Sequence, residues 1–267
     1  MAVNAESFEF GIDQISGSSS YEVEAKSLDL KSRLMFPYNL NSFNVTLSDD
    51  FLNGNVKIGA SIPIANRKEI ASDFDWKQDQ LTVFSTSISH LDEYFNIHAE
   101  WTKKIINRVD FATKIYYQEL DTLWSNSRQY DYVKNIETFF TENTLSFKQN
   151  YLIYDAGLNY LVWSSKSIKF ILEARYVTGL VKFKDTHILR DFYTLQRSEV
   201  SGYNFGLKFE YDLGAFGSIF FGVRKKQLSD KHAVMDYFTT NGFKFASYSS
   251  NYHDISNSYY ITLKKYF

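Results

Sequence analysis

Apolar and polar residues alternate along almost the whole chain. Phe95, Ile97, Ala99 and Trp101 share one parity, and Asn96, His98 and Glu100 share the other. The same two-residue period returns at 109–118, 152–162, 168–176 and 203–211. Period two is the strand signal, because successive side chains leave a strand on opposite faces. The alternation from Leu81 to Trp101 far exceeds the ~5–6 residues of an ordinary sandwich strand. Short turns, Ser164-Ser165-Lys166 and Gly214-Ala215-Phe216-Gly217, alternate with long polar segments near 69–80, 125–140 and 232–253. Short connections on one side and long ones on the other predict an antiparallel up-and-down transmembrane β-barrel with long extracellular loops. Allowing ~27 residues for a strand and its connection gives about ten strands. No composition shift divides the chain, so residues 1–267 read as one barrel domain.

The last residue, Phe267, follows Tyr259, Ile261 and Leu263 at alternate positions, as in the closing strand of an outer-membrane barrel. Lys265 breaks that pattern and is expected to snorkel at the inner interface. Pro63 has no N–H for a ladder. Counting from Asn55 places it near the outer rim, where a bulge is tolerated. At the start, Val3 and Ala5 are small residues spaced as before a signal-peptidase cut, so Met1 reads as added to a processed chain.

Composition sharpens this reading. Aromatic residues make up 18% of the chain and only two prolines interrupt it, which favours strands. The mean hydropathy of −0.32 is no argument against a membrane, since a barrel alternates lipid-facing and lumen-facing side chains. A net charge of −2 without a basic stripe speaks against nucleic acid as a partner. With no cysteine, a disulfide framework, a thiolate zinc site and a cysteine nucleophile are excluded.

Two acidic motifs can carry chemistry. Asp73-Phe74-Asp75-Trp76 lies in a long polar segment, and Asp185-Thr186-His187 ends a strand whose odd-numbered residues point inward. In each, the i, i+2 spacing puts two side chains on one face. A carboxylate beside a histidine fixes its tautomer and raises its basicity. A carboxylate pair opposite can hold a water for that histidine to deprotonate. Carboxylates with imidazole also suit a divalent metal. Either motif alone is weak evidence, because Asp-x-Asp is common in solvated loops.

Taken together, the motifs resemble those of the omptins, outer-membrane proteases with ten-stranded barrels. The resemblance runs along nearly the whole chain. Lys57-Ile58-Gly59-Ala60-Ser61 followed by Asp73-Phe74-Asp75-Trp76 is similar to one omptin strand and its Asp-x-Asp-Trp loop. Asp185-Thr186-His187 stands where the family carries Asp-x-His. Tyr117-Gln118-Glu119 and Lys148-Gln149 resemble two further motifs, as does the C-terminal Tyr259-Tyr260-Ile261-Thr262. The resemblance implies an endopeptidase at the extracellular mouth, acting on peptide or protein substrates. Its water would sit between Asp73 and His187, with Asp185 orienting His187 and Asp75 supporting Asp73. It implies no metal and no cofactor, with lipopolysaccharide as a lipid activator held by Tyr117, Glu119, Lys148 and Arg197.

Two departures qualify the resemblance. The family reads a basic residue before the cleaved bond with acids, and one of these positions here is Phe183. Glu22 approximates the other. On the lipid face, Asp121 and Asn150 stand where arginines are expected, and Glu199 is near an expected lysine. The alternative reading is a non-enzymatic barrel, an adhesin or a pore, that keeps the fold.

Overall fold

The computed structural model describes residues 7–230 and 232–266. Met1, Val3, Ala5 and the terminal Phe267 lie outside these, with the expectations attached to them. Twelve strand segments follow in order: β1 (Ser7–Ala25), β2 (Leu30–Phe51), β3 (Gly54–Arg67), β4 (Glu69–Lys77), β5 (Gln80–Ile106), β6 (Val109–Asp131), β7 (Ile136–Ser164), β8 (Ile168–His187), β9 (Phe192–Asp212), β10 (Ser218–Ser229), β11 (Ala233–Thr239) and β12 (Lys244–Tyr266). Every pairing is antiparallel, and β1 pairs with β12 to close the ring. β2 and β5 each pair with both β3 and β4, so those two segments form one wall strand. β10 and β11 likewise share β9 and β12 as neighbours. The twelve segments therefore trace ten strand paths, the number expected from the sequence.

Closure satisfies every edge, which is what a membrane requires of a sheet. The outer wall exposes Phe43, Ile58, Ile97, Leu158, Phe205 and Ile261. The inner face is polar and contains a cavity of about 590 Å³, with Glu9, Lys57, Glu100, Glu173 and Arg224 among its lining. Ion pairs cross this lumen. Arg175 bonds Asp155 at 3.1 Å and Glu100 at 3.0 Å, and Arg224 bonds Glu173 at 3.0 Å.

Two features differ from the sequence reading. The polar segments expected as long loops are largely strand: 69–77 is β4, and most of 125–140 lies in β6 and β7. Hairpins that continue the ladder keep their backbone groups paired, so the sheet extends as a collar beyond the apolar wall. Pro63 does not sit at the rim, because β4 carries the same wall strand on to Lys77. It pairs with Ser42 beside a register shift at Asn41/Ser42. Pairing of β3 with β5 stops at Ser61, just before the residue that has no N–H to donate.

Aromatic side chains close the lumen beneath the collar. Tyr21, Phe36, Phe147, Phe183, Tyr151 and Tyr252 are all nearly or fully buried. Phe36 stacks on Phe147 at 3.7 Å between ring centres. Below them the hydroxyls of Ser19, Tyr38 and Tyr151 converge on Asp254 Oδ2 at 2.8, 3.2 and 3.4 Å. Gly17 makes room for one of these groups: a Cβ there would lie 2.5 Å from the Tyr38 ring.

Candidate active site at the collar

Asp73 and Asp75 stand on the lumen face of β4, separated by the outward-facing Phe74. Asp73 pairs in register with Leu34 of β2 and Ser85 of β5. Gln78 and Asp79 both take positive φ, 51° and 59°, and turn the chain tightly from β4 into β5. The register that aims both carboxylates inward is fixed by that hairpin. Asp185 and His187 end β8, paired with Phe147 and Leu145 of β7 on one side and Thr194 and Phe192 of β9 on the other. In ring order β5, β6 and β7 separate β4 from β8, so the two motifs face each other from nearly opposite walls.

The Asp185 side chain is fully buried, and its Oδ2 lies 3.2 Å from His187 Nε2. An ionised carboxylate only accepts, so a proton on Nε2 would face it, and the Nδ1 lone pair would be left to take a proton. The imidazole stacks on Phe192 at 4.2 Å. The Asp73 carboxyl is pushed up to about 7, first by burial and then by the charge of Asp75, while His187 and Arg190 pull the other way. Asp73 Oδ1 and Asp185 Oδ1 are buried and have no hydrogen-bond partner among the described residues.

The remaining sequence-selected residues lie elsewhere. Glu22 has the outward parity of β1 and forms an ion pair with Lys31 at 2.9 Å, so it does not face the mouth. Phe183 faces inward but is 2% exposed and stacked on Tyr21 at 5.3 Å, a buried packing residue. On the outer wall, the Tyr117 hydroxyl donates to Glu119 and, at 3.0 Å, to Asn150 Oδ1. Lys148 bonds Asp121 at 2.5 Å, and Arg197 stands in register with Lys182.

Two residues escaped the sequence reading. Tyr21 reaches across from β1 and donates its hydroxyl to Asp185 Oδ2. Tyr237 on β11 packs against Phe192 at 5.9 Å, with Phe245 and Tyr248 beside it at 6.1 and 5.3 Å. The signal for Tyr21 was parity: it shares the inward face of β1 with Ser19 and Val23, whereas Glu22 does not. Among the described residues no group of three or more His, Asp or Glu side chains is arranged to hold a metal ion.

Closed antiparallel ring, apolar outer wall and polar lumen together define the outer-membrane β-barrel fold. Within that class the chain is similar over its full length to the crystal structure of the outer membrane protease OmpT from Escherichia coli. The TM-score is 0.81 and the identity 12%, covering 100% of this chain and 98% of that one. OprG from Pseudomonas aeruginosa aligns at TM-score 0.40 and 11% identity, over 96% of this chain and 97% of that one. The NalP translocator domain from Neisseria meningitidis aligns at 0.43 and 10%, over 98% and 90%. No protein-family profile matches the chain, and no curated protein matches it in sequence.

Proposed function

We propose that this chain is an outer-membrane endopeptidase whose collar faces outside the cell and whose nucleophile is a water activated between Asp73 and His187. One observation carries the reading: a fully buried Asp185 holds His187 at 3.2 Å across the mouth from a buried carboxylate with an unpartnered oxygen. His187 Nδ1 takes the proton of a water that also donates to Asp73. The resulting hydroxide adds to the peptide carbonyl, and the imidazolium returns its proton to the leaving amine. Asp185 stabilises the imidazolium between these steps. The buried aromatic layer beneath the site supports this reading over a pore. Cleavage of a peptide library by refolded protein, with and without lipopolysaccharide, tests it, and absence of cleavage in both arms refutes it. Arg197 with its neighbour Lys182, together with Lys148, is the proposed contact for the lipid phosphates, with Tyr117 and Glu119 at the edge of that lipid site.

Activity then needs Asp73 ionised and His187 neutral, so kcat/KM falls as pH drops through about 7, where Asp73 takes up its proton. Neutralising Asp75 removes a cause of that raised value. In Asp75→Asn the acid limb of the profile therefore moves to lower pH, and a limb that stays put or moves up contradicts the assignment.

Specificity follows from the aromatic side chains beside His187, because Phe183 is buried and puts no carboxylate at the mouth. An exposed aromatic face offers a cation about 2 kcal/mol, roughly 30-fold. Phe192, Tyr237 and Phe245 provide apolar contact beside His187. Matched peptides with Arg or Leu before the scissile bond are expected to differ by less than this in kcat/KM. A thousandfold preference for Arg means that an acid elsewhere reads the substrate.

A further inference from the structure

We propose that Tyr21 is a positioning residue of this site, its hydroxyl fixing Asp185 so that His187 keeps the tautomer and direction catalysis requires. The inference rests on the peptidase reading and deepens it. β1 and β8 are remote in the ring, yet the phenol of Tyr21 spans the mouth and donates to Asp185 Oδ2. That oxygen is also the acceptor 3.2 Å from His187 Nε2. One carboxylate oxygen therefore accepts from the Tyr21 hydroxyl and stands against the imidazole.

The phenol has little freedom to leave. Its ring stacks on Phe183 at 5.3 Å and an interplanar angle of 11°, and lies 5.7 Å from Phe36 and 6.0 Å from Phe147. Tyr21 is 3% exposed, so solvent does not compete for the hydroxyl. A buried phenol beside a carboxylate keeps its proton, so it remains a donor. A hydrogen bond between fixed partners in a dry site both orients and shares charge. Tyr21 thus restrains rotation of the Asp185 carboxylate and draws off part of its negative charge. The other titratable or charged groups near the dyad are Asp73 and Asp75 on β4, Arg190 beyond β8, and Tyr237 and Tyr248 on the β11–β12 hairpin.

Tyr21→Phe is the clean test, because it keeps the stacked ring and removes only the hydroxyl. Without that donor the carboxylate charge rests on the imidazole alone, which favours the imidazolium. The variant is expected to lose at least about tenfold in kcat with little change in KM. The titration midpoint of His187 should move to higher pH, by about 0.5 unit or more. The midpoint is read by NMR on histidine-labelled protein refolded in detergent micelles, with His187→Asn to assign the resonance. In an Asp185→Asn background the same Tyr21→Phe change should leave the midpoint in place, since the hydroxyl acts through the carboxylate.

If the wild-type barrel cleaves no peptide, the peptidase reading fails by itself, and the imidazole titration still decides whether Tyr21 acts on the pair. A Tyr21→Phe barrel with unchanged kcat and midpoint overturns the proposal. So does a lowered unfolding temperature with an unmoved midpoint, which marks Tyr21 as packing alone.

Discussion

Alanine at Asp73, Asp185 or His187 leaves a folded barrel whose peptide cleavage falls by about 10³-fold or more. Each removes one member of a proton-transfer unit, and such groups contribute about 10²–10⁴-fold. Double replacements should cost little more than the worse single one, because the survivors cannot act without their partner. The barrel persists because strand pairing is made by backbone, and these residues stand in the collar, Asp73 midway along β4 and Asp185 and His187 at the end of β8. Stability even separates the roles. The folded-state ionisation of Asp73 is raised to about 7 from an ordinary 3.8, so the protein loses stability as pH rises between those values. Asp73→Asn is therefore expected to unfold at higher urea than wild type at pH 8 while losing activity. Asp185→Ala strands the Tyr21 hydroxyl and His187 Nε2, and is expected to unfold more readily. Undiminished cleavage by His187→Ala would sink the mechanism.

The largest stability effect is expected inside the lumen, at Arg175. Its guanidinium is 4% exposed and bridges Asp155, 2% exposed, and Glu100, 16% exposed. Replacing it by Met keeps much of the volume but leaves two carboxylates facing each other with no cation between them. Removing one partner of a buried ion pair costs about 3–5 kcal/mol, far more than the net worth of the pair. Urea unfolding of refolded protein in micelles should show that loss for Arg175→Met. Adding Asp155→Asn should recover part of it, by removing one of the stranded charges. An unchanged midpoint for Arg175→Met would mean that the lumen is hydrated enough to screen these charges.

The strands, their number and the inward face of β8 were legible in the sequence because a two-residue period survives in every membrane-spanning segment. Parity alone placed Asp185 and His187 together, and the Asp-x-Asp spacing placed Asp73 beside Asp75. What the period does not carry is distance across the barrel. The bond from Tyr21 to Asp185 joins positions 164 residues apart, and no local pattern announces it. The polar collar strands were read as loops because polarity marks exposure to water, which a hairpin above the membrane has on both faces. Glu22 was chosen for its charge; its parity points it to Lys31 instead. Phe183 was read as a wall beside a substrate side chain, whereas its neighbours Tyr21, Phe147 and Tyr252 surround it.

The aromatic layer under the collar also governs traffic. Its rings come from β12, β1 and β2 on one side and from β7 and β8 on the other, so they meet across the lumen, with a hydroxyl cluster beneath them. Under the proposed peptidase reading, a peptide that enters the mouth meets this layer, and its fragments return to the side from which the substrate arrived. If the proposed peptidase holds, that activity is confined to the side of the envelope on which the collar stands.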